Sequence, residues 1–158
     1  MSRISKHEYY LRIAKEVSNR STCIRRRYGA VIVNDDQIIS TGYCGSPRLT
    51  KNCCDIDRCK RKELGIKPGE HYEWCRGVHA EQNAMIHASR REMLGATLYL
   101  VGIDSETNDL LENSEPCKIC KRMIINAGIQ RIITMVPSGK ICKIDVNDLV
   151  KNNIGELE

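Results

Sequence analysis

Four residues of the 158-residue chain have the types and spacing to build a reactive metal site. His79 is followed two positions later by Glu81, and further on Pro116 directly precedes Cys117, with Cys120 three residues beyond it. One imidazole and two thiolates give zinc three protein ligands and leave the fourth tetrahedral position for water, which marks a catalytic site as opposed to a closed structural one. Zinc lowers the pKa of a bound water to about 7, so hydroxide is available near neutral pH. Glu81, adjacent to a ligand and not needed as one, is free to move protons. Taken singly, His79 reads as a helix-end histidine and Cys117-x-x-Cys120 as a structural half-site or redox pair. The joint pattern is far more specific. His87, on the same segment, is assigned no role.

The elements that must position these residues are legible in the periodicity. Ala80 to about Arg91 predicts a helix, which puts His79 and Glu81 at a helix start, and Thr97-Leu98-Tyr99-Leu100-Val101 predicts a buried strand. Pro116 suits the first turn of a second helix and Gly128 the position just past its end. Cys117 and Cys120 then lie in one helical turn, on one face. Upstream, Ser5-Lys6-His7-Glu8 has capping-box spacing and opens an amphipathic helix over about 6 to 19. Ala30-Val31-Ile32-Val33 and Ile38-Ile39-Ser40-Thr41, separated by Asn34-Asp35-Asp36-Gln37, predict an antiparallel hairpin. Residues 131–136 predict the next strand and 141–144 a last one, after which Asp145 caps a helix through Val150. The order of strands and helices implies an α/β fold in three layers, a sandwich of helices on both faces of one sheet, its later strands parallel. In such folds ligands gather where helix starts meet strand ends, and both halves of the motif fall there.

The totals are consistent with one domain over 1–158, large enough to bury a core without staples. There is no Phe, so the core must be built from Ile, Leu, Val and Met. No apolar run is long enough for a membrane span or has the form of a signal peptide, so a cytoplasmic location is expected. Nine cysteines in such a chain argue for thiolates on metal more than for disulfides. A net charge of +5 is mild, and Arg25-Arg26-Arg27 is its densest run. Residues 45–77 lack sustained periodicity and hold Cys53, Cys54, Cys59 and Cys75. This Cys-rich insertion needs something to fix it.

H-x-E paired with P-C-x-x-C is the signature of zinc nucleobase deaminases. The chain further resembles the deoxycytidylate deaminase family, within the cytidine deaminase superfamily, in the branch of late-competence and phage proteins. The resemblance runs from about Arg20 to Met135. It rests on Arg20-Ser21-Thr22-Cys23, Gly29-Ala30-Val31-Ile32-Val33, Ser40-Thr41-Gly42-Tyr43, Gly45-Ser46-Pro47, Val78-His79-Ala80-Glu81-Gln82-Asn83-Ala84, Pro116-Cys117-Lys118-Ile119-Cys120 and Met123-Ile124-Ile125-Asn126-Ala127-Gly128-Ile129. It implies a five-stranded mixed sheet, a homo-oligomer, and hydrolytic conversion of dCMP to dUMP with release of ammonia. Zinc would be held by His79, Cys117 and Cys120, with Glu81 as proton shuttle. The partner implied is a small nucleotide, with neither a membrane nor a nucleic acid expected.

Two departures stand out. Family members usually carry Asn, expected to touch the sugar, where this chain has Cys44, and a thiol is a weak hydrogen-bonding partner. The stretch from Gly102 to Glu115 is also longer than the family's usual connection, and could form a substrate lid or an interface. Some members of the branch hold a second, structural zinc. Here Cys23, Cys53, Cys59 and Cys75 could make it, with Cys54 or His71 able to replace one of them. Phosphate could be met by Arg25, Arg26, Arg27, Arg48 or Arg90, the last where some relatives use an arginine in nucleotide recognition. The rival readings are a deaminase of dCTP or of a base in nucleic acid, and a non-catalytic zinc-stabilised binding module.

Overall fold

The computed structural model describes residues 1–152. Helix α1 (Lys6–Ser18) is capped by Ser5, whose Oγ accepts from Glu8 N, as the capping-box spacing requires. Strands β1 (Arg26–Asn34) and β2 (Gln37–Tyr43) form the expected hairpin. Its two linking residues, Asp35 and Asp36, both adopt positive φ, the geometry whose twist matches paired strands. Short helices α2 (Cys53–Ile56) and α3 (Lys60–Glu63) and a 3₁₀ turn (Tyr72–Trp74) organise the insertion. Then follow α4 (Ala80–Ile86), α5 (Arg90–Met93), β3 (Thr97–Asp104), α6 (Lys118–Ala127), β4 (Arg131–Met135), β5 (Ile141–Asp145) and α7 (Val146–Lys151).

The five strands form one sheet in the order β2-β1-β3-β4-β5. Only β3 and β4 are parallel, linked through α6; β1 pairs antiparallel with both β2 and β3. β5 also runs antiparallel to β4, which corrects the expectation of parallel later strands. Residues 136–140 make a tight turn, with Val136 N bonded to Lys140 O, and so short a link allows a hairpin but no crossover. The sheet is mixed, and the three layers are as expected.

Alternation along the strands sorts the core into two halves. Val31, Val33, Tyr99, Val101, Ile103 and Ile133 face α1 and pack on its Tyr10, Leu11 and Ala14. Ala30, Ile32, Leu98, Leu100 and Ile132 face the other way, onto Ala80, Ala84 and Met85 of α4 and Ile124 of α6. Each fully buried Leu or Ile contributes about 1.5–3 kcal/mol, so this second interface fixes α4 and α6 firmly against the sheet. These are the helices whose starts carry the chemistry.

Three local expectations shift. The helix from Ala80 stops at Ile86, because Ser89 opens a new one by accepting from Glu92 N while its own N–H bonds Glu92 Oε2. β3 extends to Asp104, since β1 pairs with it as far as Arg26. Pro116 lies before the cap and outside α6, and Cys117 is the N-cap itself.

Candidate active site

The site is assembled by two helix starts held against the sheet. Directly before α4, Val78 and Gly45 exchange backbone hydrogen bonds of 2.7 and 3.1 Å, which pins the chain entering His79 to the end of β2. His79 is the N-cap of α4, and its N–H donates to Gln82 Oε1 at 2.8 Å. The helix lies so close to β2 that a Cβ on Gly42 would sit 2.3 Å from Ala84 N and 2.4 Å from Ala80 O. At α6, the Cys117 sulfur accepts from Cys120 N at 3.5 Å, so the cap orients one thiol and the first turn the other.

These constraints bring three donors together. His79 Nδ1 lies 3.4 Å from Cys120 Sγ and 3.6 Å from Cys117 Sγ, and all three donor atoms are within 4.8 Å of one another. One nitrogen and two sulfurs suit zinc, and three protein donors leave one tetrahedral position for a fourth ligand. Hydrogen bonding from Cys120 and then from His79 lowers the Cys117 pKa to about 4, so it is a thiolate at neutral pH. Cys120 is shifted upward, chiefly by its contact with that thiolate and by burial. Burial alone depresses His79, but the Cys117 hydrogen bond and the Glu81 charge more than reverse it. Such a donor set has the charge and convergence to hold a cation.

Glu81 is only 4% exposed. Desolvation raises its pKa, against the opposing pull of His79, so the carboxyl can hold a proton and also release it. Against His79 stands Tyr72, the rings meeting edge to face at 4.9 Å, and the guanidinium of buried Arg61 caps Tyr72 at 4.5 Å. This wall of the site comes from the insertion. No periodicity or motif pointed to Arg61 or Tyr72.

The other sequence-predicted residues lie apart from the trio. Cys23, Cys53, Cys59 and Cys75 all line one recess of about 30 Å³, room for a single ion or water. Their sulfurs are less tightly gathered, for among the described residues the set with mutual distances within 4.8 Å is His79, Cys117 and Cys120. Cys54 is exposed near Asp55, and His71 pairs with Glu73 on the surface. Cys44 is buried, its sulfur 2.9 Å from Ser21 Oγ and accepting from Tyr28 N at 3.2 Å. Arg90 donates to Asn126 O near the C-terminal end of α6, the end opposite the cysteines, and the structure does not bring it to the trio. Arg48 reaches His87, and Arg27 is held by Asn19 and Asn108. The stretch from Gly102 to Glu115 begins as the last residues of β3. It doubles back on β3 through Leu111 N to Gly102 O and Gly102 N to the buried Ser114 Oγ.

A three-layer α/β fold with a converged His-Cys-Cys donor set and a buried glutamate beside it has the make-up of a zinc hydrolase site. Residues 4–136 match the family described as the cytidine and deoxycytidylate deaminase zinc-binding region. The chain belongs to this family of hydrolytic deaminases. It is 36% identical over 138 residues to the deoxycytidylate deaminase of Mycobacterium phage D29, covering 84% of this chain and 96% of that one. To the deoxycytidylate deaminase of Saccharomyces cerevisiae it is 34% identical over 134 residues, which are 84% of this chain but 38% of the yeast protein. Among solved structures, the apo dCMP deaminase of cyanophage S-TIM5 superposes with a TM-score of 0.59 at 25% identity, covering 85% of each chain. Among the described residues no helix is long and apolar enough to cross a membrane.

Proposed function

We propose that the chain is one deaminase domain that hydrolyses dCMP to dUMP and ammonia with zinc held by His79, Cys117 and Cys120. The observation that carries this is the buried Glu81 beside a converged His-Cys-Cys donor set in a member of the deaminase family. Zinc in that set supplies a Lewis acid that makes water acidic enough to act as a nucleophile near neutral pH. Glu81 accepts the proton that the water gives up and passes it to N3 of the cytosine as the C4–O bond forms. It then delivers the water's second proton to the amino nitrogen as the C4–N bond breaks. Water and dCMP are thereby accounted for as dUMP and ammonia. Such a shuttle contributes about 10²–10⁴-fold. The burial of Glu81 keeps bulk water from the carboxyl and raises its pKa.

The cysteine recess takes a second, structural zinc on Cys23, Cys53, Cys59 and Cys75. Four donors around a one-ion recess support this. A closed four-thiolate site would fasten the insertion that carries Tyr72 and Arg61 against His79. An ammonia-release assay across dCMP, dCTP, CMP, deoxycytidine and single-stranded DNA tests the substrate. Turnover of dCMP above the others is expected, and turnover of single-stranded DNA alone would overturn the reading.

A further inference from the structure

We propose that Tyr72 is a positioning residue for the His79 imidazole and that Arg61 sets Tyr72 in place, so that the insertion aims the histidine at its metal. The proposal rests on the reading of His79, Cys117 and Cys120 as a zinc site.

Backbone contacts fix where His79 starts but not how its ring is turned. Its N–H is held by Gln82 Oε1, and the preceding Val78 by Gly45, whereas the imidazole can rotate about its side-chain bonds. That rotation decides whether Nδ1 faces the two sulfurs, from which it lies 3.4 and 3.6 Å. In metal sites the orientation of a ligating histidine is ordinarily fixed by a neighbour of its ring. Here the neighbour is aromatic. The Tyr72 and His79 rings meet at 4.9 Å between centroids and 79° between planes, the perpendicular arrangement that ring quadrupoles favour.

Tyr72 sits in a three-residue 3₁₀ turn, which has little stiffness of its own. Directly before it His71 has a φ of 47°, a left-handed conformation that a histidine keeps where its surroundings impose it. Arg61 supplies that constraint. Its Nη2 donates to the carbonyls of Lys67 and Glu70, both at 2.7 Å, and its own carbonyl accepts from Ile66 N, so the chain running into the turn is closed on α3. The guanidinium then lies over the Tyr72 ring, Cζ 4.5 Å from its centroid. A buried guanidinium persists where its donors and charge are met, and here two carbonyls and a ring face meet it. Arg61 also lines the cysteine recess. Recess, Arg61, Tyr72 and His79 thus form one line from the insertion to the metal ligand.

The test uses zinc-loaded full-length protein, wild type beside Tyr72→Leu, Tyr72→Phe and Arg61→Met, and follows zinc lost to a competing chelator. The zinc in question is the one that His79→Ala lacks. Tyr72→Leu should hold it about 10–100-fold more weakly than wild type, the usual cost of losing a neighbour that orients a ligand. With zinc in excess its kcat on dCMP should fall while KM holds, because the ring acts through His79 and not on the substrate. Tyr72→Phe, which keeps the ring, should recover zinc affinity, and Arg61→Met should weaken it in the same direction as Tyr72→Leu. The melting temperature of Tyr72→Leu should stay within about 4 °C of wild type, the shift of a minor packing loss. Wild-type zinc affinity in Tyr72→Leu, a change confined to KM, a loss shared by Tyr72→Phe or a larger fall in melting temperature would each overturn the proposal while the zinc site stands. Wild-type affinity in Arg61→Met would overturn the part given to Arg61. If His79→Ala carries as much zinc as wild type, the zinc site itself falls and the proposal with it.

Discussion

The two cysteine-bearing regions of the molecule differ in what holds them. Cys117 and Cys120 sit on the cap and first turn of a ten-residue helix, and His79 caps a helix that lies directly on β2, so their donors converge through backbone packing. Cys23, Cys53, Cys59 and Cys75 come from the loop after α1, the start of α2, the cap of α3 and the end of a 3₁₀ turn. They surround a recess but draw together less closely. On the proposed reading, the fold builds the first site and a metal would complete its chemistry, whereas the second site would need its metal to complete the fold. A preformed site loses function when a ligand is removed, whereas a site built by its metal loses stability.

The largest expected effect is on function at the preformed site. His79→Ala should abolish turnover, falling by more than about 10³-fold, and should remove one zinc of two by elemental analysis. Its melting temperature should stay within a few degrees of wild type. A large fall in melting temperature would show that this centre also holds the fold together.

At the other region the signs reverse. Cys53→Ser should cost about 3 kcal/mol, read as a drop of roughly 6–12 °C in melting temperature. The protein that remains folded at low temperature should keep kcat within about 10-fold of wild type. An unchanged melting temperature would mean that the four thiols hold no metal.

A smaller and more discriminating effect is expected where backbone packing aims the trio. Gly42→Ala places a methyl against the backbone of α4, a contact no rotamer relieves, and should destabilise by about 1–3 kcal/mol. Because the displaced element carries His79 and Glu81, kcat should fall as well, with zinc still bound. A stability loss with unchanged kcat would mean that the trio is not aimed by this contact.

Much of this was legible in the sequence, and the residues explain why. His79, Glu81, Cys117 and Cys120 are separated by short, fixed spacings on helix starts, and local structure alone brings each half into position. The hairpin, α1 with its Ser5 cap and α7 with its Asp145 cap were likewise written in local pattern. The direction of β5 was not, since parallel and antiparallel partners share the same apolar alternation and only the length of the 136–140 turn decides. Arg61 and Tyr72 were also invisible, because they reach His79 by stacking across an irregular segment whose path has no period. Cys44 was legible as a position and not as a direction, which depends on hydrogen bonds to Ser21 and to the Tyr28 backbone.

The most direct test of the central claim is ammonia release from dCMP by zinc-loaded wild type beside Glu81→Gln. The amide keeps the size of the carboxyl but cannot carry the proton. Wild type should convert dCMP to dUMP with one ammonia per turnover, and Glu81→Gln should lose about 10³-fold or more in kcat with its zinc content unchanged. A Glu81→Gln enzyme that keeps wild-type turnover, or a zinc-loaded wild type that releases no ammonia from dCMP, would contradict it.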